Sequence, residues 1–305
     1  MFLFSKKLVF LFFNYLCLLP NFLLYNRKTS NYHQKTNKKN LKNHGFFILS
    51  SEFLKKEKEL IFSIISRLNI HKIIEEKKNI NISKGAGNYV VDLLNSDHLS
   101  LNEKDEIKNL IFKNKALTTE ISNTLGFKSL PVSANLMINH FNKESIEFEG
   151  PKQWHRDNSA AAGQVKIFFL LNQIQSQSGG HFYYLPFKAI EPYKKFVLRN
   201  DYDTQKKLWN RFRYKDTELE KYLDLKKYIQ IYPSNDEDKA DILVINTNDC
   251  YHKGGFIKKE GYYRLLLHIV FDPALAFTDQ KGNYFLKKIF TYLKNTFRSK
   301  IYLDR

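Results

Sequence analysis

The sequence of 305 residues has only two cysteines, Cys17 and Cys250. Two thiols so far apart provide neither a disulfide framework nor a four-cysteine zinc site, so we expect a reducing compartment. Glycine and proline are also scarce, at 12 and 7 residues, which argues against a collagen-like or low-complexity chain. Hydrophobic residues make up 43% of the sequence, enough to form a core. We therefore expect a globular chain of one large domain or two ordinary ones.

Arginine is rare among the basic residues, at nine of 49. The formal net charge of +18 is carried by lysine, and scattered lysine is ordinarily a solvated surface. No arginine-rich segment, zinc finger or RNA-binding signature accompanies it. We expect no specific nucleic-acid partner, and strongly salt-dependent binding to random DNA would be the minimum requirement of that alternative.

The first 50 residues contain no Asp or Glu. An apolar run at 8–25 is close to the shortest length that crosses a bilayer. More basic residues follow this run than precede it, so an inserted helix would leave the main domain in the cytoplasm. An interfacial helix or apolar flap is an equal alternative. We expect a cytoplasmic protein, membrane-associated if 8–25 acts as an anchor, followed by a basic linker at 26–44.

Helical and strand-like patterns occupy different parts of the remaining chain. A strand at 46–49 precedes a helix with apolar residues at three-to-four spacing, and a second helical stretch covers about 99–126. Later runs rich in β-branched and aromatic residues predict strands at 132–141, 164–172, 180–185, 228–232, 240–247 and 262–271. This order indicates an α+β protein with a mainly β core, a sandwich or jelly roll with flanking helices.

Two segments stand apart from the expected domain at 45–275. The polar, helix-prone insert at 187–227 is either a lid over a pocket or a solvated helical excursion. The C-terminal segment at 276–305 contains a basic amphipathic helix, which can cover the barrel or touch a membrane, and we favour the cover.

Two of the nine histidines lie in polar turns beside strands. His155 and Asp157 are two residues apart, so in an extended chain their side chains project to the same face. His252 follows the buried strand predicted at 240–247. Two imidazoles and one carboxylate on one octahedral face leave three open positions, as in non-haem Fe(II) sites. Zinc is a weaker choice because no His-Glu-x-x-His helix or obvious general base is present, and ordinary turn roles remain open for all three residues.

Arg264 lies inside an apolar strand, twelve residues after His252. A guanidinium is costly to bury unpaired, but its fork suits a carboxylate ligand. A buried Glu or Asp partner is the structural alternative. His181 and His268 also lie in apolar strands, where we expect core histidines with satisfied hydrogen bonds.

The order His155, Asp157, His252 and Arg264 resembles that of the Fe(II)/2-oxoglutarate-dependent dioxygenases. The flanks, including Gly45 to Leu49 before a helix and Gly179-Gly180 before a strand, resemble the phytanoyl-CoA dioxygenase-like superfamily over about 45–275. The resemblance implies a cupin-like, double-stranded β-helix. It also implies that the two histidines and Asp157 bind Fe(II), that Arg264 binds the distal carboxylate of 2-oxoglutarate, and that O₂ is consumed.

The chain departs from the family in two places. Pro186-Phe187-Lys188 stands where many members have Pro-Gly-Ser-His, and Gly254 stands where some members place a hydroxyl on the co-substrate. Asp157 is present, unlike in related halogenases, which favours hydroxylation or desaturation.

Substrate contacts are expected beside the metal ligands, from Trp154, Arg156 and Asn158, although Trp154 can equally pack against the barrel wall. We expect a dioxygenase that hydroxylates a small-molecule or lipid-like substrate and releases succinate and CO₂. The alternative is a catalytically inactive jelly-roll binding protein, with or without membrane association.

Overall fold

The computed structural model describes residues 32–50, 52–79, 88–126, 128–141, 152–157, 164–172, 179–186, 213–220, 224–233, 242–247 and 250–273. The apolar run at 8–25, most of the insert, the C-terminal segment at 276–305 and Asn158 lie outside these residues. None of the helices within them is both long and apolar enough to cross a bilayer.

Helices occupy the first half of the described chain. They are α1 (Tyr32–His44), α2 (Lys55–Ser66), α3 (Ile70–Asn79), α4 (Leu101–Ile107) and α5 (Lys115–Leu125), with a π-helical turn, Lys108–Phe112, continuing α4. The single helical stretch predicted at 99–126 is therefore two helices. The break has a local cause: the Asn114 side chain accepts a hydrogen bond from Leu117 N at 2.9 Å and caps a new helix.

Residues 32–44, expected to be part of a linker, form α1 instead. This segment contains no glycine or proline to break a helix. It packs against α5 and β1: Leu41 lies against the hydrophobic core, and Asn37 Nδ2 donates to Glu120 Oε1 at 3.4 Å. Tertiary contacts thus stabilise a helix whose composition is mostly polar.

Eleven strands in the described ranges form two antiparallel sheets. The strands are β1 (Phe46–Leu49), β2 (Asn88–Asp92), β3 (Ser129–His140), β4 (Trp154–His155), β5 (Val165–Leu170), β6 (Phe182–Tyr184), β7 (Arg213–Tyr214), β8 (Gln230–Tyr232), β9 (Ile242–Ile245), β10 (His252–Gly254) and β11 (Tyr263–Pro273). The six-stranded sheet has the order β1-β9-β5-β11-β3-β2, and the five-stranded sheet has the order β7-β4-β10-β6-β8. Two antiparallel sheets with helices outside them are consistent with the jelly roll expected from the sequence.

The two faces of the six-stranded sheet contact different layers. On β5, Ile167 and Phe169 pack into the cluster that contains the helices, whereas Phe168 and Leu170 pack towards the five-stranded sheet. Because side chains alternate along a strand, the apolar run of β5, interrupted only by Lys166, indicates a strand that is largely buried on both faces. On β11 the same alternation places Leu266 between the sheets. Arg264 and His268 share its face.

The insert at 187–227 is not helical throughout. Its described part contains β7, which pairs with β4 at the edge of the five-stranded sheet, followed by α6 (Asp216–Leu219) and α7 (Leu225–Tyr228). The backbone N–H and C=O groups on the outer edge of β4 need hydrogen-bond partners, and pairing with β7 provides them. The insert therefore supports the strand that carries His155.

Candidate metal centre

Antiparallel pairing brings the two candidate histidine ligands face to face. β4 and β10 are neighbours, and His155 is the direct cross-strand partner of His252. Opposite residues of an antiparallel pair point to the same face of the sheet. The ring centroids of the two imidazoles are accordingly 4.2 Å apart.

Asp157 completes the cluster two residues after His155. Its backbone N donates to Thr247 O at 2.8 Å, which attaches the residue to the end of β9. Asp157 Oδ2 lies 3.7 Å from His252 Nε2, and ligand atoms of all three side chains lie within 4.8 Å of one another. One metal ion can therefore contact all three residues.

Backbone carbonyls fix the tautomers of both imidazoles. His155 Nδ1 lies 2.8 Å from Gln153 O, and His252 Nδ1 lies 3.2 Å from Cys250 O. A carbonyl oxygen only accepts, so Nδ1 must carry the hydrogen and Nε2 is left with a lone pair in a neutral ring. Burial and the neighbouring His155 lower the pKa of His252, which favours the neutral form that binds metals.

A lysine that sequence analysis missed lies against the carboxylate of this cluster. Lys166 Nζ, from β5, is 2.5 Å from Asp157 Oδ2, with the two side chains 17% and 23% exposed. Burial by itself would raise the pKa of Asp157, but its electrostatic interactions with the neighbouring His252 and with the Lys166 ammonium outweigh it and lower that pKa. The sequence contains a signal for this residue: Lys166 is a charged residue inside an apolar strand, as Arg264 is.

Arg264 is 3% exposed and lies between the sheets. One guanidinium nitrogen donates to Gly180 O. In the described ranges no Asp or Glu pairs with Arg264, and its buried Nε has no hydrogen-bond partner. The buried Glu or Asp partner considered from the sequence is therefore not found there. Burial lowers the pKa of Arg264 only to about 10, so the group stays charged near neutral pH.

Trp154 and Arg156, beside the metal ligands, contact other parts of the structure. Trp154 is fully buried and packs with Leu219 and Tyr251. Its Nε1 donates to Asp216 Oδ1 at 2.6 Å. The Arg156 guanidinium lies 5.1 Å from the centroid of the Tyr251 ring. Alternation along β4 thus points Trp154 away from His155, as in the wall-packing alternative. The substrate contacts expected from Trp154, Arg156 and Asn158 remain predictions.

His268, predicted as a core histidine, has an incompletely hydrogen-bonded ring. Its ring stacks on Phe168 with centroids 5.2 Å apart, but its buried Nε2 has no hydrogen-bond partner among the residues that the structure describes. Burial and the charge of Lys166 lower the pKa of His268 to about 3. His268 is therefore a neutral imidazole facing the space between the sheets, rather than a satisfied core residue.

Comparisons with known proteins give structural matches only. No protein-family model and no curated protein sequence matches this chain. AviO1 from Streptomyces viridochromogenes Tue57 is similar at 12% identity, over 80% of this chain and 96% of that one, with a TM-score of 0.47. SnoN, a non-haem α-ketoglutarate-dependent epimerase from nogalamycin biosynthesis, is 12% identical over 79% and 84%, with a TM-score of 0.46. HygX from Streptomyces hygroscopicus, crystallised with nickel and 2-oxoglutarate bound, is 13% identical over 81% and 88%, with a TM-score of 0.45.

Proposed function

We propose that this chain is an Fe(II)- and 2-oxoglutarate-dependent oxygenase of the phytanoyl-CoA dioxygenase-like superfamily, built on a double-stranded β-helix. The observation that carries the proposal is the convergence of His155, Asp157 and His252, whose ligand atoms lie within 4.8 Å of one another. Two neutral imidazoles and one carboxylate are the ligand set of non-haem Fe(II) oxygenases. The chain order of these residues and Arg264 supports the same family.

Each side chain has a defined task in this proposal. The Nε2 atoms of His155 and His252 and one oxygen of Asp157 hold the metal, and Arg264 binds the far carboxylate of 2-oxoglutarate. Iron and 2-oxoglutarate together supply the oxidising chemistry: one atom of O₂ enters the substrate and the other enters succinate, with release of CO₂. The carbonyls of Gln153 and Cys250 keep both imidazoles in their ligating orientation.

One side of the cluster borders an apolar layer. Phe168, Leu170 and Leu266 form part of an apolar layer between the two sheets. A dry site strengthens electrostatic interactions with bound ligands and protects reactive groups from side reactions. We propose that the substrate is a small or lipid-like molecule and that the reaction is a hydroxylation.

One observation favours the alternative, a jelly-roll binding protein without catalytic activity. Lys166 Nζ lies 2.5 Å from Asp157 Oδ2, so a protein cation already neutralises the carboxylate that would bind the metal. A metal ion must therefore compete with this lysine. The two candidate functions differ in whether a metal ion displaces Lys166 and binds Asp157.

Anaerobic titration of the full chain with Fe(II) and then 2-oxoglutarate separates them. The oxygenase is expected to develop a weak visible charge-transfer band, and His252→Ala is expected to abolish it without unfolding the chain by circular dichroism. His71→Ala, which changes an exposed histidine, is the matched control and should keep the band. A folded wild-type chain that shows no band and binds neither ligand would favour the binding protein.

A further inference from the structure

A buried lysine, Lys152, lies near Arg264. Lys152, just before β4, is 2% exposed, and its Nζ lies 4.2 Å from the centroid of the Phe256 ring. The other largely buried lysines of the described chain have carboxylate partners: Lys166 and Lys253 each lie 2.5 Å from an Asp oxygen. In the same ranges neither Lys152 nor Arg264 has one.

Lys152 and Arg264 contact two backbone segments that pair with each other. The ammonium of Lys152 lies over the ring of Phe256. The residues on either side of Phe256 pair with the other segment: Gly255 N donates to His181 O at 2.6 Å, and Ile257 forms an isolated bridge with Gly179. Arg264 approaches these segments from β11 through its hydrogen bond to Gly180 O. The two cations therefore converge on one junction, formed by residues 179–181 and 255–257.

Asn139, on the adjacent strand β3, also contacts this junction. It is the cross-strand partner of Arg264, and its Nδ2 donates to Gly255 O at 2.7 Å. Its buried Oδ1 has no hydrogen-bond partner in the described chain. Three polar side chains thus meet at the junction, and two of them retain buried atoms without partners.

Two like charges without a counter-ion are unfavourable inside a protein. The electrostatic effect is visible at Lys152, because burial and the charge of Arg264 lower its pKa to about 8. The pKa of Arg264 is about 10, so both groups remain mainly charged at pH 7. An anion between them would replace this repulsion by two attractions.

We propose that Lys152 and Arg264 together bind the far carboxylate of 2-oxoglutarate, so that Lys152 is a second co-substrate-binding residue. This inference rests on the proposed oxygenase function. Its geometry is set by the chain itself: Lys152 is three positions before the metal ligand His155, at most about 10 Å of backbone. A diacid attached to the metal by one end can direct its other carboxylate to the junction.

The test compares two 2-oxo acids on the Fe(II)-loaded full chain under anaerobic conditions. Lys152→Met is expected to raise the Kd for 2-oxoglutarate about 10- to 100-fold, the loss of a charge-assisted hydrogen bond. Its Kd for Fe(II) and for 2-oxobutyrate, which lacks the far carboxylate, should not change. Lys152→Arg should restore most of the 2-oxoglutarate affinity. Lys259→Met, an exposed control, should match the wild type.

A second readout needs neither iron nor 2-oxoglutarate. If two uncompensated cations repel each other, Lys152→Met should raise the urea midpoint of the ligand-free chain, whereas loss of a merely structural lysine should lower it. Lys152→Gln gives the same comparison if the Met variant does not fold.

A third measurement is a double-mutant cycle that combines Lys152→Met with Arg264→Met. It should show repulsive coupling without ligand and attractive coupling in saturating 2-oxoglutarate.

Three results would overturn the inference. Equal losses of affinity for both 2-oxo acids would place Lys152 away from the far carboxylate. An unchanged affinity for 2-oxoglutarate in Lys152→Met, with normal wild-type binding, would refute the role of Lys152 alone. Absence of Fe(II) and 2-oxoglutarate binding in the wild type would refute the proposed function, and the role of Lys152 with it.

Discussion

The ion pair between Asp157 and Lys166 makes one substitution informative about both stability and metal binding. Asp157→Asn keeps the shape of the side chain, removes its charge and leaves the Lys166 ammonium without a counter-ion. The side chains are 23% and 17% exposed, and the two atoms are 2.5 Å apart. Exposed pairs contribute at most about 1 kcal/mol, whereas breaking a buried pair costs about 3–5 kcal/mol. We expect a loss of about 2 kcal/mol, or roughly 4–8 °C in Tm for a domain of this size.

The same variant should also lose its response to a divalent metal. A metal that binds only the folded state stabilises it by about 2.7 kcal/mol at a concentration 100-fold above its Kd. Asp157 provides the only carboxylate ligand of the cluster, so Asp157→Asn should show little or no increase in Tm with Fe(II), Co(II) or Ni(II). Thermal unfolding with and without metal, followed by circular dichroism, measures both effects.

Asp216→Asn is the matched control. Asp216 Oδ1 also lies 2.5 Å from a lysine, Lys253, and it accepts a hydrogen bond from Trp154. This variant should lose stability as well but keep the full metal-induced increase in Tm. If Asp157→Asn retained that increase, the cluster would not be the metal site. If it were as stable as the wild type without metal, the argument from the Lys166 ion pair would be wrong.

Two further substitutions test the surroundings of the cluster. Gly180 has φ +88°, and a Cβ there would lie 2.3 Å from Ile257 Cδ1, so Gly180→Ala should cost about 1–3 kcal/mol in urea unfolding. Gly261→Ala, also at positive φ but with nothing near its Cβ, should cost less. The buried His268 has its pKa lowered to about 3, so only the unfolded chain gains its proton as pH falls from about 6.5, and stability declines towards pH 3. His268→Leu should remove up to about 1.4 kcal/mol per pH unit of that decline between pH 6 and 4.5, and an unchanged slope would contradict the assignment.

The strands that the sequence predicts well are those buried on both faces. The runs predicted at 164–172, 240–247 and 262–271 correspond to β5, β9 and β11, because continuous apolar residues leave little ambiguity about burial. The short strands β4 and β7 have two residues each. Pairing with neighbours far along the chain, rather than any local pattern, makes them strands.

The candidate ligands could be named from sequence, but their geometry could not. The spacing of His155 and Asp157 indicates a shared face, while the direct pairing of His155 with His252 is a property of the sheet register. Lys152 and Lys166 were overlooked for a compositional reason: in a chain so rich in lysine, each one is expected on the surface. Only the fold distinguishes Lys152 from the other lysines, through its burial, whereas the apolar strand around Lys166 already distinguishes that residue in the sequence.

The charges around the cluster explain why ligand and protein must be considered together. Among the described residues, Asp157 is the carboxylate of the metal cluster, while Lys152 and Arg264 are buried cations and Lys166 is a half-buried one. A divalent metal alone would add positive charge to this interior. The free-energy cost of burying that charge is much smaller when an anion binds together with the metal. A dianion that reaches from the metal towards Arg264 offsets charge at both ends. The arrangement therefore favours a metal and an organic acid that bind as a pair, which is the ligand combination of the proposed oxygenase.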